Sequence, residues 1–242
     1  MDILIELSHR EKYMNRTEWL KQQRHNIENH YDRLWAPIYD DNWGSTIDPV
    51  HQRFVTNLAN ACPETGSILD AACGTGKYWP ILLASGRRFT GIDQSRAMLG
   101  NATRKYPQVR VKKFGLQEIN FQEAFDLILC IDAMEMIFPE DWPKVLGNFH
   151  RGLKQGGQLY FTVEIAEGDA IEQDYQAALN AGLPVVYGES VLTSGEAPEK
   201  SGYHYYPSLD QVRKWLAEAG FTIKEEAEAN DYHHFWVNKE VH

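Results

Sequence analysis

The residues most able to bind a ligand lie in the stretch SILDAACGTGKYW, residues 67–79. There an apolar run ends in an acid and is followed by two glycines and a lysine. Loops of this composition hold nucleotides, because glycine lets the backbone approach a ligand closely. A phosphate-binding Walker loop needs a glycine where this chain has Ala71, and a hydroxyl residue where it has Tyr78. A dinucleotide fingerprint needs a third glycine where the chain has Trp79. The loop therefore departs from both phosphate-binding patterns.

Short apolar strands alternate with helical segments on both sides of this loop. The predicted strands are SILDAAC, RFTGID, VRVKKF, FDLILCIDA and QLYFTVE, and the helix PEDWPKVLGNFHRGL is predicted to end at Gly156-Gly157. Such an alternation predicts βαβ units and hence a parallel sheet. The last two strands, FTIKEEAEA and HHFWVNKE, are joined by a short turn and are predicted to be antiparallel neighbours. Ligands of open parallel sheets lie at the carboxyl ends of the strands, where the loop is expected.

The domain organisation follows from what flanks these strands. No linker divides the chain, so residues 1–242 are predicted to form a single domain. Residues 1–45 combine an amphipathic helical pattern with a loop, and residues 165–207 interrupt the alternation with a helix and an irregular, tyrosine-rich insertion. We expect both segments to fold over the sheet.

Composition limits the partners of the protein. The net charge of −10, from 24 Lys and Arg against 34 Asp and Glu, disfavours nucleic acid and anionic membranes as partners. No apolar run approaches the roughly 20 residues of a membrane span, and the first residues lack a signal-peptide pattern, so a cytoplasmic location is expected. The three cysteines are too few and too widely spaced for a disulfide framework or a zinc site. A monomer and a homodimer are equally compatible with the sequence.

Several motifs together resemble one enzyme family. The segment Asp70-Ala71-Ala72-Cys73-Gly74-Thr75-Gly76 resembles the acidic-x-Gly-x-Gly-x-Gly loop of class I S-adenosylmethionine-dependent methyltransferases. GIDQS, FDLILCIDAMEMI and LKQGGQLYFTVE resemble that family's second, fourth and fifth strands, in the same order. The main departure is Ala72 at the first glycine position. The resemblance implies an α/β fold: a Rossmann-like seven-stranded, mostly parallel sheet with an antiparallel last strand. It also implies helices on both faces, an N-terminal helical lid and an insertion after strand five.

The resemblance also implies S-adenosyl-L-methionine as the cofactor. In that family an acid at the position of Asp93 accepts both ribose hydroxyls, Gln94 flanks the adenine and Asp132 faces the methionine end. The loop after the third strand would bracket the adenine, although it lacks the acid that many members carry there. The pair of tyrosines in YDRLWAPIYDD resembles a lid over the cofactor, or else only fastens the N-terminal helix to the domain. The predicted cofactor-binding residues are Tyr31, Tyr39, Asp70, Ala72, Gly74, Gly76, Asp93, Gln94, Leu116, Gln117 and Asp132.

A second set of residues is predicted to act on the methyl acceptor. His204 is the strongest candidate for a general base, because imidazole titrates near neutrality. Glu135, Glu164 and His234 are further catalytic candidates, since topology brings them to the same rim. Side chains alternate along a strand, so only one of His233 and His234 can face a pocket there. A metal site built from these groups lacks a close-spaced ligand pair, and we expect no metal.

The predicted function is methyl transfer from S-adenosylmethionine to an O or N atom of a small molecule by in-line displacement. The tyrosines of the insertion predict a cover over a small acceptor, and they could stabilise a cation. Two alternatives remain open on the same fold: a methyltransferase that acts on protein or RNA, and a non-catalytic protein that binds the cofactor. An NAD-dependent oxidoreductase would need the glycine that Trp79 replaces.

Overall fold

The structure, a computed structural model, describes residues 15–44, 46–192 and 202–240. Within them the α-helices are α1 (Arg16–His30), α2 (Pro49–Ala61), α3 (Trp79–Ala84), α4 (Arg96–Lys105), α5 (Trp142–Gly152), α6 (Gly168–Asn180) and α7 (Leu209–Glu218). Two π-helical turns, Tyr31–Trp35 and Asp40–Gly44, follow α1. Three 3₁₀ turns cover Leu116–Glu118, Met134–Met136 and Pro139–Asp141.

One seven-stranded sheet organises the chain. Its strands are β1 (Ser67–Ala71), β2 (Arg88–Asp93), β3 (Arg110–Lys113), β4 (Phe125–Cys130), β5 (Leu153–Glu164), β8 (Phe221–Ala229) and β9 (Tyr232–Lys239), and β6 (Glu189–Leu192) and β7 (Gly202–Tyr205) form a separate two-stranded ribbon. The strand order is β3-β2-β1-β4-β5-β9-β8. β1 to β5 pair in parallel, and β9 runs antiparallel to both β5 and β8. The predicted Rossmann-like sheet with an antiparallel last strand is therefore confirmed.

The central strands are buried on both faces, as their continuous apolar runs predict. Alternate residues of β1 and β4 separate into two clusters: Leu69 and Ile128 pack on one face, and Ile68 and Leu129 on the other. Helices start where polar caps precede them. Asp48 accepts backbone hydrogen bonds at the start of α2, and the predicted cap Ser208 accepts one from Gln211 at the start of α7.

Two segments differ from their predictions. Helix α5 ends at Gly152 rather than at Gly156-Gly157, and β5 begins at once because Leu153 pairs with Phe125 of β4. The carbonyl of Leu153 also accepts a hydrogen bond from Nζ of Lys239 at 2.8 Å. The helix predicted in the insertion is present as α6, but the stretch after it, predicted to be irregular, contains the β6–β7 ribbon. Residues 193–201 lie outside the described part of the chain.

The N-terminal segment is fastened to the sheet domain by two aspartates. Oδ1 of Asp32 accepts hydrogen bonds from the hydroxyl of Ser95 at 2.5 Å and from the backbone N–H of Ala97 at 3.0 Å. Oδ1 of Asp40 accepts one from the hydroxyl of Thr75 at 2.5 Å. Among the described residues, no helix is both long enough and apolar enough to cross a membrane.

Candidate active site

A cavity lies at the carboxyl ends of β1, β2 and β4, where ligands of open α/β sheets bind. Ten of the eleven predicted cofactor residues line it: Tyr31, Tyr39, Asp70, Ala72, Gly74, Asp93, Gln94, Leu116, Gln117 and Asp132. Gly76 is not among the described residues that line it, and none of the four predicted catalytic residues is. Lys77 is, and its Nζ lies 5.7 Å from the ring centroid of Tyr78.

The loop after β1 is shaped by left-handed backbone conformations. Ala72, Gly74 and Gly76 have φ values of 60°, 54° and 81°. Ala72, at the first glycine position, thus adopts a conformation that glycine would adopt with less strain. A Cβ atom at Gly74 would contact no other group within 4 Å, whereas one at Gly76 would lie 2.7 Å from the ring of Trp79. Gly74 therefore leaves open space at the cavity, and Gly76 makes room for Trp79.

This difference predicts different results for two alanine variants. Both should lose about 1–2 kcal/mol of stability from the left-handed backbone. Gly76→Ala should lose roughly a further 1–3 kcal/mol because the ring of Trp79 must move. Gly74→Ala should instead weaken cofactor binding, since its methyl group would enter the cavity. Chemical denaturation and calorimetry would separate the two effects, and equal stability losses would contradict the proposed packing role of Gly76.

Trp79 and Asp70 form a buried pair beneath the cavity. Nε1 of Trp79 donates a 2.7 Å hydrogen bond to Oδ2 of Asp70. Trp79 is fully buried, and a Cβ atom at Gly91 of β2 would lie only 2.5 Å from its ring. Burial raises the pKa of Asp70 to about 7, the hydrogen bond from Trp79 acts in the opposite direction, and the charge of Asp93 raises the pKa further.

The raised pKa of Asp70 predicts a pH-dependent stability. Between its ordinary pKa of 3.8 and about 7, the folded chain binds more protons at this site than the unfolded chain. The resulting stabilisation is present at low pH and is lost as the pH rises through that range. Asp70→Asn keeps an oxygen for Trp79 but cannot titrate. The free energy of unfolding of this variant minus that of the wild type should therefore increase from pH 5 to pH 7. Chemical denaturation of the two ligand-free proteins measures this difference. A pH-independent difference between the two proteins would refute this expectation; Asp169→Asn, an exposed carboxylate on α6, is the control.

Asp93 joins the loop to the end of β2. Its Oδ2 accepts the backbone N–H of Gly74 at 2.9 Å, and its Oδ1 accepts that of Ser95 at 2.8 Å. Burial raises its pKa to about 6, although these backbone hydrogen bonds act in the opposite direction. Each carboxylate oxygen can accept a second hydrogen bond, so the group can still bind a pair of hydroxyls.

The N-terminal segment combines a fastening role with a lining role. Asp32 and Asp40 hold the segment in place, while the tyrosines that precede each of them, Tyr31 and Tyr39, line the cavity. The ring of Tyr31 stacks on that of Trp35 at a centroid distance of 6.4 Å. In the repeated Tyr-Asp pattern, the acids make the attachment and the tyrosines line the cavity.

Asp132 lines the cavity and also contacts one of two buried histidines that pack against each other. The sequence did not indicate that these two histidines are neighbours. Oδ1 of Asp132 accepts a hydrogen bond from Nε2 of His51 at 3.1 Å, and the backbone of Asp132 has φ 51°. The ring of His51 meets that of His234 edge-on at 4.7 Å. His234 shares a 2.8 Å hydrogen bond with the hydroxyl of Tyr160 and stacks on Phe54. Burial lowers the pKa of His234 to about 4, so this imidazole is neutral at physiological pH.

The two neighbouring histidines of β9 point to opposite faces of the sheet. His234 lies on the side of His51 and is fully buried. Nε2 of His233 lies 3.0 Å from Oε2 of Glu226 on β8, which is also bound by Arg213. The alternation predicted for YHHFW therefore holds, and the candidate on the side of Asp132 is His234.

The predicted base His204 is paired with the predicted acid Glu164. Nδ1 of His204 lies 2.6 Å from Oε2 of Glu164 at the end of β5 and 3.2 Å from the hydroxyl of Tyr206. Both contacts involve Nδ1, which leaves Nε2 to meet an acceptor. The contact with Glu164 is an ion-pair distance, since Oε2 of Glu164 has no aligned hydrogen bond among the described residues. A carboxylate next to one ring nitrogen while the other handles a proton resembles the arrangement of hydrolase triads. Among the described residues, no group of three His, Cys, Asp or Glu side chains could hold a metal ion.

Glu135 lies in the 3₁₀ turn after β4, which contacts both β5 and β7. It is only 4% exposed, and its Oε2 has no hydrogen-bond partner in the described part of the chain. Burial, followed by the charges of Glu164 and Asp132, raises its pKa well above the ordinary value. The three carboxylates are thus close enough to influence one another.

The cavity suits a cationic nucleoside without phosphate. Three acids, Asp70, Asp93 and Asp132, line it against two basic residues, Arg24 and Lys77. This excess of acids favours hydroxyl and ammonium groups over phosphate. The loop supplies backbone rather than side chains at Gly74. These features fit the ribose diol, the amino group and the sulfonium of S-adenosylmethionine.

Comparison with known proteins agrees with this fit. Residues 68–157 match the family model described as a methyltransferase domain. A sugar N,N-dimethyltransferase from Saccharopolyspora spinosa, which acts on dTDP-4-amino-2,3,4,6-tetradeoxy-D-glucose, is 33% identical over 131 residues. This match covers 50% of the chain and 51% of the relative, so the chain spans about half the length of that protein. A glycine/sarcosine N-methyltransferase from Aphanothece halophytica is 28% identical, with 80% of each chain covered.

A solved structure extends the likeness to the fold. Magnesium protoporphyrin IX methyltransferase from Synechocystis PCC 6803, with S-adenosylhomocysteine bound, superposes with a TM-score of 0.63 at 15% identity. The superposition covers 88% of this chain and 98% of the other. The sheet order and the loop geometry are those of the class I S-adenosylmethionine-dependent methyltransferase fold, and residues 68–157 match a methyltransferase domain.

Proposed function

We propose that this protein transfers a methyl group from S-adenosylmethionine to an O or N atom of a small molecule. The observation that carries the proposal is the position of the His204–Glu164 pair at the end of β5. This strand pairs with β4, which leads into the cavity residue Asp132. The pair does not line the cavity itself, but it lies at the end of the strand next to the one that leads into it. A potential base close to the cofactor is what methyl transfer to a protonated acceptor requires.

The cofactor residues receive the following roles. Asp93 accepts the ribose hydroxyls, Gln94 and the Leu116-Gln117 turn flank the adenine, and Gly74 gives the backbone access. Asp70 and Asp132 face the amino-acid end, which suits their negative charge. Gly76 acts indirectly. Its missing side chain leaves room for the ring of Trp79, and Trp79 donates a hydrogen bond to Asp70.

When bound, the sulfonium supplies an electrophilic methyl group. The chain's own residues align the acceptor with it, exclude water and handle the acceptor's proton. Tyr31 and Tyr39 cover the cavity, and Nε2 of His204 takes the proton while Glu164 orients the ring. His234 is neutral and buried, so its proposed role is to pack against His51 and so hold His51 in place for its contact with Asp132.

Small molecules are the favoured acceptors for two reasons. Two of the sequence relatives, described above, are named for methylation of an amino sugar and of glycine or sarcosine. The chain also carries an excess of negative charge, which disfavours RNA. Methylation of protein or RNA and cofactor binding without turnover remain the alternatives.

The test is to incubate the protein with methyl-labelled S-adenosylmethionine and a metabolite extract from which macromolecules have been removed. Label in a small molecule identified by mass would support the proposal. Label only in a protein or RNA fraction would favour the first alternative. Cofactor binding by calorimetry without label in any fraction would favour the second.

A further inference from the structure

A buried carboxylate with one oxygen that lacks a hydrogen-bond partner among the described residues lies near the proposed acceptor site. Glu135 is 4% exposed, and its Oε2 accepts no hydrogen bond among the described residues. Burying an unpaired carboxylate is costly, so such a group normally has a donor. Of the two carboxylates nearby, Asp132 is hydrogen-bonded by His51, and Glu164 lies at ion-pair distance from His204. Oε2 of Glu164 likewise has no hydrogen bond among the described residues, so two neighbouring carboxylates each present an oxygen without a donor.

The bound cofactor does not supply that donor. Glu135 is not among the residues that line the cofactor cavity, although Ala133 and Met136 on either side of it are. Its turn instead contacts β5, which ends in Glu164, and β7, which carries His204. The sulfonium of the cofactor has no N–H to donate, and its ammonium group is assigned above to Asp70 and Asp132, which line the cavity. The missing partner is therefore expected from the acceptor side of the site.

The surroundings of Glu135 favour a cation as that partner. Tyr232, opposite Glu164 in the β5–β9 pairing, and Tyr31 of the N-terminal segment both lie within its electrostatic reach. Burial and then the charge of Glu135 raise the pKa of both phenols. Tyr31 lines the cavity together with Ala133 and Met136, which flank Glu135 closely in sequence. Phenol rings and a carboxylate in one site can bind an alkylammonium ion through ring faces and a charge-assisted hydrogen bond.

We propose that the methyl acceptor is an amine that binds as its ammonium ion, with Glu135 as its carboxylate partner and the rings of Tyr31 and Tyr232 around it. This inference rests on the proposed function and narrows its acceptor to nitrogen. Before transfer, the ammonium loses one proton to Nε2 of His204. The freed lone pair then forms the N–C bond, while the C–S bond breaks and leaves its electron pair on sulfur. The product is a methylated ammonium ion and a neutral thioether.

The decisive experiment has two parts: the first identifies the chemical class of the acceptor, and the second measures the effect of a Glu135 variant. The metabolite extract is used untreated, after amine acetylation, and after separation on a cation exchanger at pH 7. Label should appear in a compound that the exchanger retains, and acetylation should abolish it. Label that persists after acetylation, in a compound that flows through, would overturn the amine inference and leave the methyltransferase proposal intact. No label in any fraction would overturn both.

The variant tests the role of Glu135 itself. Glu135→Gln keeps the shape but loses the charge, and kcat/KM for the retained compound should fall roughly 10- to 100-fold. Affinity for S-adenosylhomocysteine should stay unchanged, which also verifies folding. Glu167→Gln removes the same charge at an exposed position and should have no effect. If Glu135 is merely a buried neutral acid, glutamine will replace it without loss, and an unchanged kcat/KM would overturn the inference.

Discussion

Replacing His204 with alanine is expected to lower kcat by roughly 10²- to 10⁴-fold, the usual contribution of a positioned general base. Affinity for S-adenosylhomocysteine should not change, because His204 does not line the cofactor cavity. The physical reason is the pairing of Nδ1 with Glu164 at 2.6 Å, which directs Nε2 to the acceptor. Single-turnover assays with the labelled cofactor and the identified acceptor measure the effect.

Two further variants make the His204 result specific. Glu164→Gln should alter the pH profile of turnover rather than abolish turnover, since it acts through the imidazole. His25→Ala, at an exposed position on α1, should retain full activity. If the His204→Ala variant turns over at the wild-type rate, His204 is not the general base. Glu135 would then be the next residue to test as the base.

Asp93→Ala is expected to weaken S-adenosylmethionine binding by roughly 100-fold or more, because hydrogen bonds to a charged group contribute about 1.5–3 kcal/mol each. Two such bonds to the ribose are proposed. The variant also frees the backbone N–H groups of Gly74 and Ser95. Calorimetry with S-adenosylhomocysteine gives the dissociation constant directly.

Asp93→Asn separates the two roles of this residue. Asparagine keeps one side-chain oxygen for the loop but loses the charge, so it should lose less stability than alanine and still bind the cofactor weakly. Unchanged affinity in both variants would show that the ribose assignment is wrong. NADH should not protect the wild-type protein against heat, whereas S-adenosylhomocysteine should.

Much of the fold is encoded in local patterns. The order of elements and the parallel sheet are predictable because their signals each span only a few residues. These signals are continuous apolar strands such as FDLILCIDA, helix caps such as Asp48 and Ser208, and glycines in turns. The ends of helices and strands are not predictable where they depend on pairing with a strand distant in the sequence. Helix α5 ends at Gly152 because Leu153 pairs with β4, and the insertion forms a ribbon because β6 pairs with β7.

The cofactor side of the site was also largely predictable, because most of it lies on loops that directly follow strands. Asp70, Asp93 and Asp132 end or follow β1, β2 and β4, and parallel strands bring their carboxyl ends to one edge. His51 was missed because its sequence context is an ordinary amphipathic helix. Nothing local indicates its contact with Asp132, 81 positions away.

The sequence by itself determined the sheet, the nucleoside-binding loop and the family resemblance, because these depend on short-range periodicity and on residues that allow a left-handed backbone. Tertiary structure decided how the same residues are used. Trp79, which by sequence only excluded a dinucleotide site, binds Asp70, and Gly76 makes room for its ring. The aspartates of the Tyr-Asp repeats fasten the N-terminal segment, and one oxygen of Glu135 has no hydrogen-bond partner within the described part of the chain. Such roles arise from contacts between distant segments, which exist only once the whole chain is packed.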